Sequence, residues 1–157
     1  MKYFAGIGSR KTPIDVLRHV EQISKAFTEL GYILRSGGAK GADSHFEKTA
    51  LNKEIYYAND ATKEAIELAS QYHPAWHNCN DYARKLHGRN SMIILGHDLN
   101  TPVDFVICWT PDGKATGGTG LGINLANDKD IPVYNLALKN DIEVLRWVYL
   151  QQRKRND

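Results

Sequence analysis

Val103-Asp104-Phe105-Val106-Ile107-Cys108-Trp109 is the most nearly continuous apolar run in the chain. A strand with one wet face alternates apolar and polar residues. A run without that alternation is typical of a central parallel strand covered on both faces. The segments around it supply such a cover, because strand and helix signals alternate from end to end. That pattern implies an α/β domain with a parallel sheet and right-handed crossovers.

Tyr3-Phe4-Ala5-Gly6-Ile7-Gly8 reads as the first strand. Thr12 is placed as the N-cap of the first helix, with Pro13 at its first turn. Ile14, Leu17, Val20, Ile23, Phe27 and Leu30 recur every three or four residues, which makes one buried helical face ending near Gly31. Tyr32 to Arg35 reads as the second strand, about 42–51 as a helix, and Glu54 to Ala58 as the third strand. Ala61 to Tyr72 is helical and stops at His73-Pro74, since proline disfavours helix at the residue before it. Residues 78–95 form a further helix that Gly88 breaks or kinks. A short helix reaches about Asn127, and Pro132 to Asn135 is the last strand. Asn140 and Glu143 form a capping-box pattern for the final helix. The basic tail at 150–157, with Arg153, Lys154 and Arg155, is expected to be frayed and solvated.

The 157 residues fit a single domain over 1–157, with no internal repeat or linker. Apolar content of 42% and charged content of 24% are ordinary for a soluble globular chain. A net charge of +2 excludes a polycation, so any nucleic-acid contact needs a local basic patch. Cys79 and Cys108 form no CxxC pair and read as reduced thiols in a cytosolic protein. No signal-peptide pattern is visible, and no apolar stretch approaches the ~20 residues of a membrane span. The expectation is a cytoplasmic protein without membrane contact.

Chemistry is expected at the carboxyl ends of the strands, where strand order reverses. Three glycine-bearing loops leave strand ends: Gly6-Ile7-Gly8-Ser9-Arg10, Ser36 to Asp43, and Thr116-Gly117-Gly118-Thr119-Gly120. The second reads Ser36-Gly37-Gly38-Ala39-Lys40-Gly41-Ala42-Asp43 and runs straight into a helix. Such loops let backbone N–H groups close on an anion while the following helix aims its positive end at the same point. An order of 3-2-1-4-5 brings all three to one edge, which favours a phosphate-bearing ligand over a purely structural use of the glycines. Arg10, Lys11, Arg35, Lys40, Arg89 and Lys114 fall in or beside these loops. Arginine offers a planar fork that matches phosphate, while Lys11 and Lys114 read better as solvated charges. The hydroxyls of Ser9, Ser36, Thr116 and Thr119 either donate to a ligand or close turns and cap helices. Asn90, Trp109 and Thr110 complete the candidate ligand-binding set.

His73 and His77 have a spacing seen in metal ligands, but Pro74 prevents a regular helix carrying both. With Cys79 they make a poor site, so no metal is expected. No cofactor is expected either.

Gly8-Ser9-Arg10, the Ser36–Asp43 loop, Arg89-Asn90 and the Gly117–Gly120 loop together resemble the SLOG superfamily. That group joins the DNA-processing protein DprA with the LONELY GUY (LOG) phosphoribohydrolases and with sensor domains for nucleotide-derived signals. The likeness spans residues 3–138. With His73-Pro74-Ala75-Trp76 and Cys108 to Gly113, it looks most like small stand-alone DprA-like proteins of bacteriophages. It implies a Rossmann-like domain of about five parallel strands in order 3-2-1-4-5 with helices on both faces. It also implies a homodimer or higher homo-oligomer in a bacterial or phage-infected cytosol.

The resemblance carries three functional readings. In LOG enzymes an arginine and a glutamate cleave the N-glycosidic bond of a nucleoside monophosphate. Arg89 matches the arginine, but Asn124 stands where the glutamate is expected, and asparagine cannot transfer a proton. Asp43 and Asp112 are the substitutes in the chain. DprA binds single-stranded DNA, which calls for a basic groove and stacking aromatics. Trp76, Trp109, Tyr57 and Tyr82 are candidates, although core packing is the commoner use of such residues. The third reading is a protein that binds a nucleotide or nucleotide-derived signal, sensing or sequestering it. It needs the fewest parts and is preferred.

Overall fold

The computed structural model describes residues 1–156. Five strands form one all-parallel sheet: β1 (Lys2–Gly8), β2 (Tyr32–Ser36), β3 (Lys53–Ile55), β4 (Phe105–Trp109) and β5 (Val133–Asn135). Their order is β3-β2-β1-β4-β5, as the sequence implied. Strand β1 lies at the centre, with Ala5 opposite Arg35 on one side and Val106 on the other.

The apolar run in β4 works as its composition demands. Phe105 and Ile107 face a core with Phe4 and Leu34, closed by Val20 and Phe27 of α1 (Ile14–Glu29), Phe46 of α2 (Ala42–Thr49) and Leu145 of α6 (Lys139–Asn156). Val106 and Cys108 face the second core with Ala5 and Ile7. Ile93 and Ile94 of α4 (Asp81–Leu95) and Leu125 and Ala126 of α5 (Gly117–Asp128) close that side. Helix α3 (Lys63–Ser70) packs on α4 from outside.

Local differences from expectation have physical causes. Helix α1 begins at Ile14, with Pro13 as its N-cap. Thr12 is buried, and its hydroxyl donates to the Ser9 carbonyl at 2.5 Å, closing the preceding turn instead of capping the helix. Ile14 is 72% exposed and takes no part in the core that Val20 and Phe27 join. Helix α4 starts at Asp81, where the Asn80 side chain accepts from the Ala83 N–H at 2.8 Å. Gly88 neither breaks nor kinks it. A Cβ there would lie 2.7 Å from Ile66 Cγ1, so the glycine sets the close approach of α3 and α4. Helix α6 opens before Asn140, so no capping box forms there; Asp141 accepts instead from the Asn135 N–H at 2.9 Å. The basic tail is not frayed: Arg153, Lys154 and Arg155 are exposed residues of α6, which runs to Asn156. Residue 157 lies outside the described residues. No helix among them is long and apolar enough to cross a membrane.

Candidate nucleotide site at the carboxyl edge

Strand order reverses between β1 and β4, and the loops after these strands flank a cavity of about 540 Å³. Gly8, Ser9 and Arg10 line it from the first loop, and Gly117, Gly118 and Thr119 from the third. Asp43, Arg89 and Asn90 complete the predicted residues found there. The first loop is held to β4 by a hydrogen bond from the Ser9 N–H to the Trp109 carbonyl, 3.1 Å long. Gly8 is required by packing, since a Cβ there would sit 2.5 Å from that of Ala42.

The third loop opens α5 directly onto the cavity. Thr116 is the N-cap, but its side chain makes no capping hydrogen bond. The first-turn N–H groups of a helix have no intrahelical acceptor, and the helix field favours an anion beside them. Asn90 Nδ2 donates to the Gly118 carbonyl at 3.3 Å, which ties this turn to α4.

Arg89 is buried, 8% exposed, and is aimed by three hydrogen bonds. Its Nη1 donates to the Gly37 carbonyl at 2.7 Å and the Tyr56 carbonyl at 3.2 Å; its Nε donates to Asn90 Oδ1 at 3.0 Å. The Nη2 edge has no hydrogen-bond partner among the described residues and remains available to a ligand on the cavity wall. Gly37 must lack a side chain here: a Cβ would lie 2.6 Å from Arg89 Nη1 and 2.9 Å from Asp43 Oδ2.

Asp43 is 6% exposed, and its buried Oδ1 has no hydrogen-bond partner. Burial pushes its carboxyl up to about 6, against the opposing pull of the Arg89 charge and of backbone N–H groups at Ala39, Gly8 and Gly37. A carboxyl so placed accepts a hydroxyl or amino donor when ionised, and takes or gives a proton near neutral pH. On the same wall, burial lowers the His87 pKa, aided by the nearby His73 and Arg89, so this ring is neutral at pH 7.

Eight predicted residues lie elsewhere. Ser36 is fully buried, and its hydroxyl donates to the Gly6 carbonyl at 2.6 Å. Gly37 holds Arg89, Gly38 packs against Tyr57, and Gly41 packs against the Ser9–Arg10 backbone. Lys40 is exposed and does not line the cavity. Trp109 packs against the core of the α1 face. The Thr110 hydroxyl accepts from Asn135 Nδ2 at 2.7 Å. Gly120 is buried within α5. Arg35, one of the flanking charges, is also structural: it stacks 3.9 Å over the Tyr3 ring, pairs with Glu54 at 3.0 Å and donates to the Thr101 carbonyl.

Sequence reasoning missed the α4 wall, where Ala83, Leu86 and His87 join Asn90 and Ile93. Leu86, His87 and Ile93 stand three or four residues from Asn90 and Ala83 seven, and this helical spacing was the available signal. Asn124 is exposed and lies outside the cavity, as does Asp112. Two of the four candidate stacking residues are open to solvent, Tyr57 at 54% and Tyr82 at 63%. Trp76 packs against His73 and His87 instead.

The chain is thus a Rossmann-like parallel α/β structure with a ligand-sized cavity at its topological switch point. No protein-family model matches it, and no curated protein does. Among solved structures it is similar to DNA processing protein A (DprA) from Helicobacter pylori, described for its single-stranded DNA binding mode. That match has 17% identity and a TM-score of 0.58, over 85% of this chain and 64% of the other. It is also similar to DprA from Streptococcus pneumoniae, with 19% identity and a TM-score of 0.58, over 93% of this chain and 56% of the other. The chain therefore spans less than two thirds of each of these relatives.

Proposed function

We propose that the cavity binds the phosphate of a nucleotide unit, with Arg89 and the first turn of α5 as its anion ligands. The observation that carries this reading is the free Nη2 edge of a buried, pre-aimed arginine on the wall where α5 begins. Both supply donors without competing protein acceptors, which suits an anion. Asp43 repels phosphate when ionised, so its place is beside a ribose hydroxyl or a base amino group. The cavity volume lies within the range of small-molecule sites.

Single-stranded DNA is the second reading, and a separate observation favours it. Tyr57, packed on Gly38 of the second loop, and Tyr82, next to Ala83 of the cavity wall, are both exposed, and the exposed Arg10 and Lys11 line the cavity. Exposed aromatics next to cations are the parts of a base-stacking strand site. The likeness to DprA supports the same reading. A homodimer is a further part of the proposal, supported by the exposed run of Val144, Trp147 and Leu150 on α6.

Equilibrium titration with inorganic phosphate, a nucleoside monophosphate and a single-stranded oligonucleotide tests this. Arg89→Ala is expected to weaken binding on the order of 10- to 100-fold, the value of a hydrogen-bonded charge. Arg10→Glu with Lys11→Glu, both on the surface, should weaken it without affecting the fold. Preference for the oligonucleotide, reduced by Tyr82→Ala, would identify the strand reading. No binding of any of the three probes, or binding indifferent to these substitutions, would remove the proposal. Recovery of the mononucleotide unchanged identifies a binder; free base and ribose phosphate identify a hydrolase.

A further inference from the structure

Three side chains beside the cavity take no part in the proposed anion site. His73 lies in the turn after α3, Cys79 immediately precedes the N-cap of α4, and His87 lies two turns into that helix. The packing of α3 on α4 brings them together. One ligand atom from each lies within 4.8 Å of both others. Cys79 Sγ is 3.7 Å from His73 Nε2, and the two imidazole rings are 4.5 Å apart between centroids. His87 Nδ1 is buried and has no hydrogen-bond partner.

We propose that His73, Cys79 and His87 form a binding site for a soft divalent transition metal of the zinc class, held by two nitrogens and one sulfur. Tetrahedral zinc with Zn–S near 2.3 Å and Zn–N near 2.05 Å separates a ligating sulfur from a ligating nitrogen by roughly 3.6 Å. The Cys79–His73 pair already stands at that distance, and small side-chain rotations bring in His87. The donor set selects zinc or cobalt(II) over magnesium or calcium, which prefer oxygen. Three protein ligands leave a fourth position for an exchangeable water. His87 is on the cavity wall, so metal has a route to the site.

Without metal the same atoms make a hydrogen bond. The Ala75 N–H donates to His73 Nδ1 at 3.0 Å, so the ring proton sits on Nε2 and points at the sulfur. Loading the metal expels the thiol proton and replaces the Nε2 proton, which moves to Nδ1. The Ala75 N–H must then turn away. Three coordinate bonds are gained for three hydrogen bonds lost: Ala75 N–H to His73, His73 to the sulfur, and the thiol to the Ala75 carbonyl. The residue left out is His77, which is exposed and not part of the cluster.

Cobalt(II) titration of the full chain is the direct test. Expected are the visible bands of tetrahedral cobalt and a sulfur-to-cobalt charge-transfer band, saturating at one metal per chain and bleached by zinc. Cys79→Ser should abolish the charge-transfer band. His73→Ala and His87→Ala should each weaken binding by about tenfold or more, because each removes one of three protein ligands. His77→Ala should change nothing. Zinc should also slow alkylation of Cys79 in the native wild-type protein, a readout that requires no variant to fold; Cys108 is fully buried and serves as the internal control. Absence of the charge-transfer band, its survival in Cys79→Ser, or alkylation of Cys79 indifferent to zinc would overturn the proposal.

Discussion

Asp43 shows at the scale of one residue how this site is poised. Its carboxyl is raised from an ordinary 3.8 to about 6, mainly by burial. The folded state therefore holds the proton more tightly than the unfolded chain does. The sign follows: the contribution to stability is complete below about pH 4 and is lost as pH rises through about 6. A shift of that size corresponds to about 3 kcal/mol. Asp43→Asn is expected to abolish this part of the pH dependence. Denaturant melts of both proteins between pH 4 and 7 should converge towards low pH and separate above it; parallel curves would sink the assignment. Arg89 and Arg35 make a related point. Both are buried arginines near a glycine loop, yet Arg35 spends its donors on Glu54 and Thr101, while Arg89 keeps one edge free. Nothing local in the sequence separates them.

At the scale of elements, the strands and helices were legible because periodicity is a repeated local signal. The apolar run of β4 alternates between two cores, and the spacing of Val20 and Phe27 marks the buried face of α1. Element ends were less legible, since they depend on what a capping group meets in space. Thr12 is a good N-cap residue by type, but the Ser9 carbonyl claims its hydroxyl. The junction between β1 and α2 depends on Gly8. Gly8→Ala would press a methyl against Ala42 and is expected to destabilise the protein by about 1–3 kcal/mol, the usual cost of overpacking. It should also weaken phosphate binding, because the Gly41 turn that opens α2 packs against the Ser9–Arg10 backbone of the first loop. Chemical denaturation and phosphate titration of this variant check both; wild-type values in both would show that α2 has room to move.

At the scale of the whole molecule, the sheet order gathers loops distant in sequence at one edge. The core that holds this arrangement centres on Phe4, which is fully buried with Phe27, Phe46 and Phe105 at ring distances of 5.8, 6.4 and 5.9 Å. Phe4→Ala is expected to cost about 3–5 kcal/mol. A urea midpoint unchanged in that variant would mean the sheet does not depend on this cluster. The strand order that reverses between β1 and β4 was implied by the family resemblance, while the sequence by itself determined the alternation of elements and the two-faced burial of β4. Those properties follow from local hydrophobic period and from the handedness of parallel crossovers, which act in every such chain. Tertiary structure alone decided which loop atoms face the cavity and which arginine keeps a free edge. It also decided that His87, not His77, meets His73 and Cys79. These are contacts between residues far apart along the chain, set by helix packing and close backbone approach, and no local pattern encodes them.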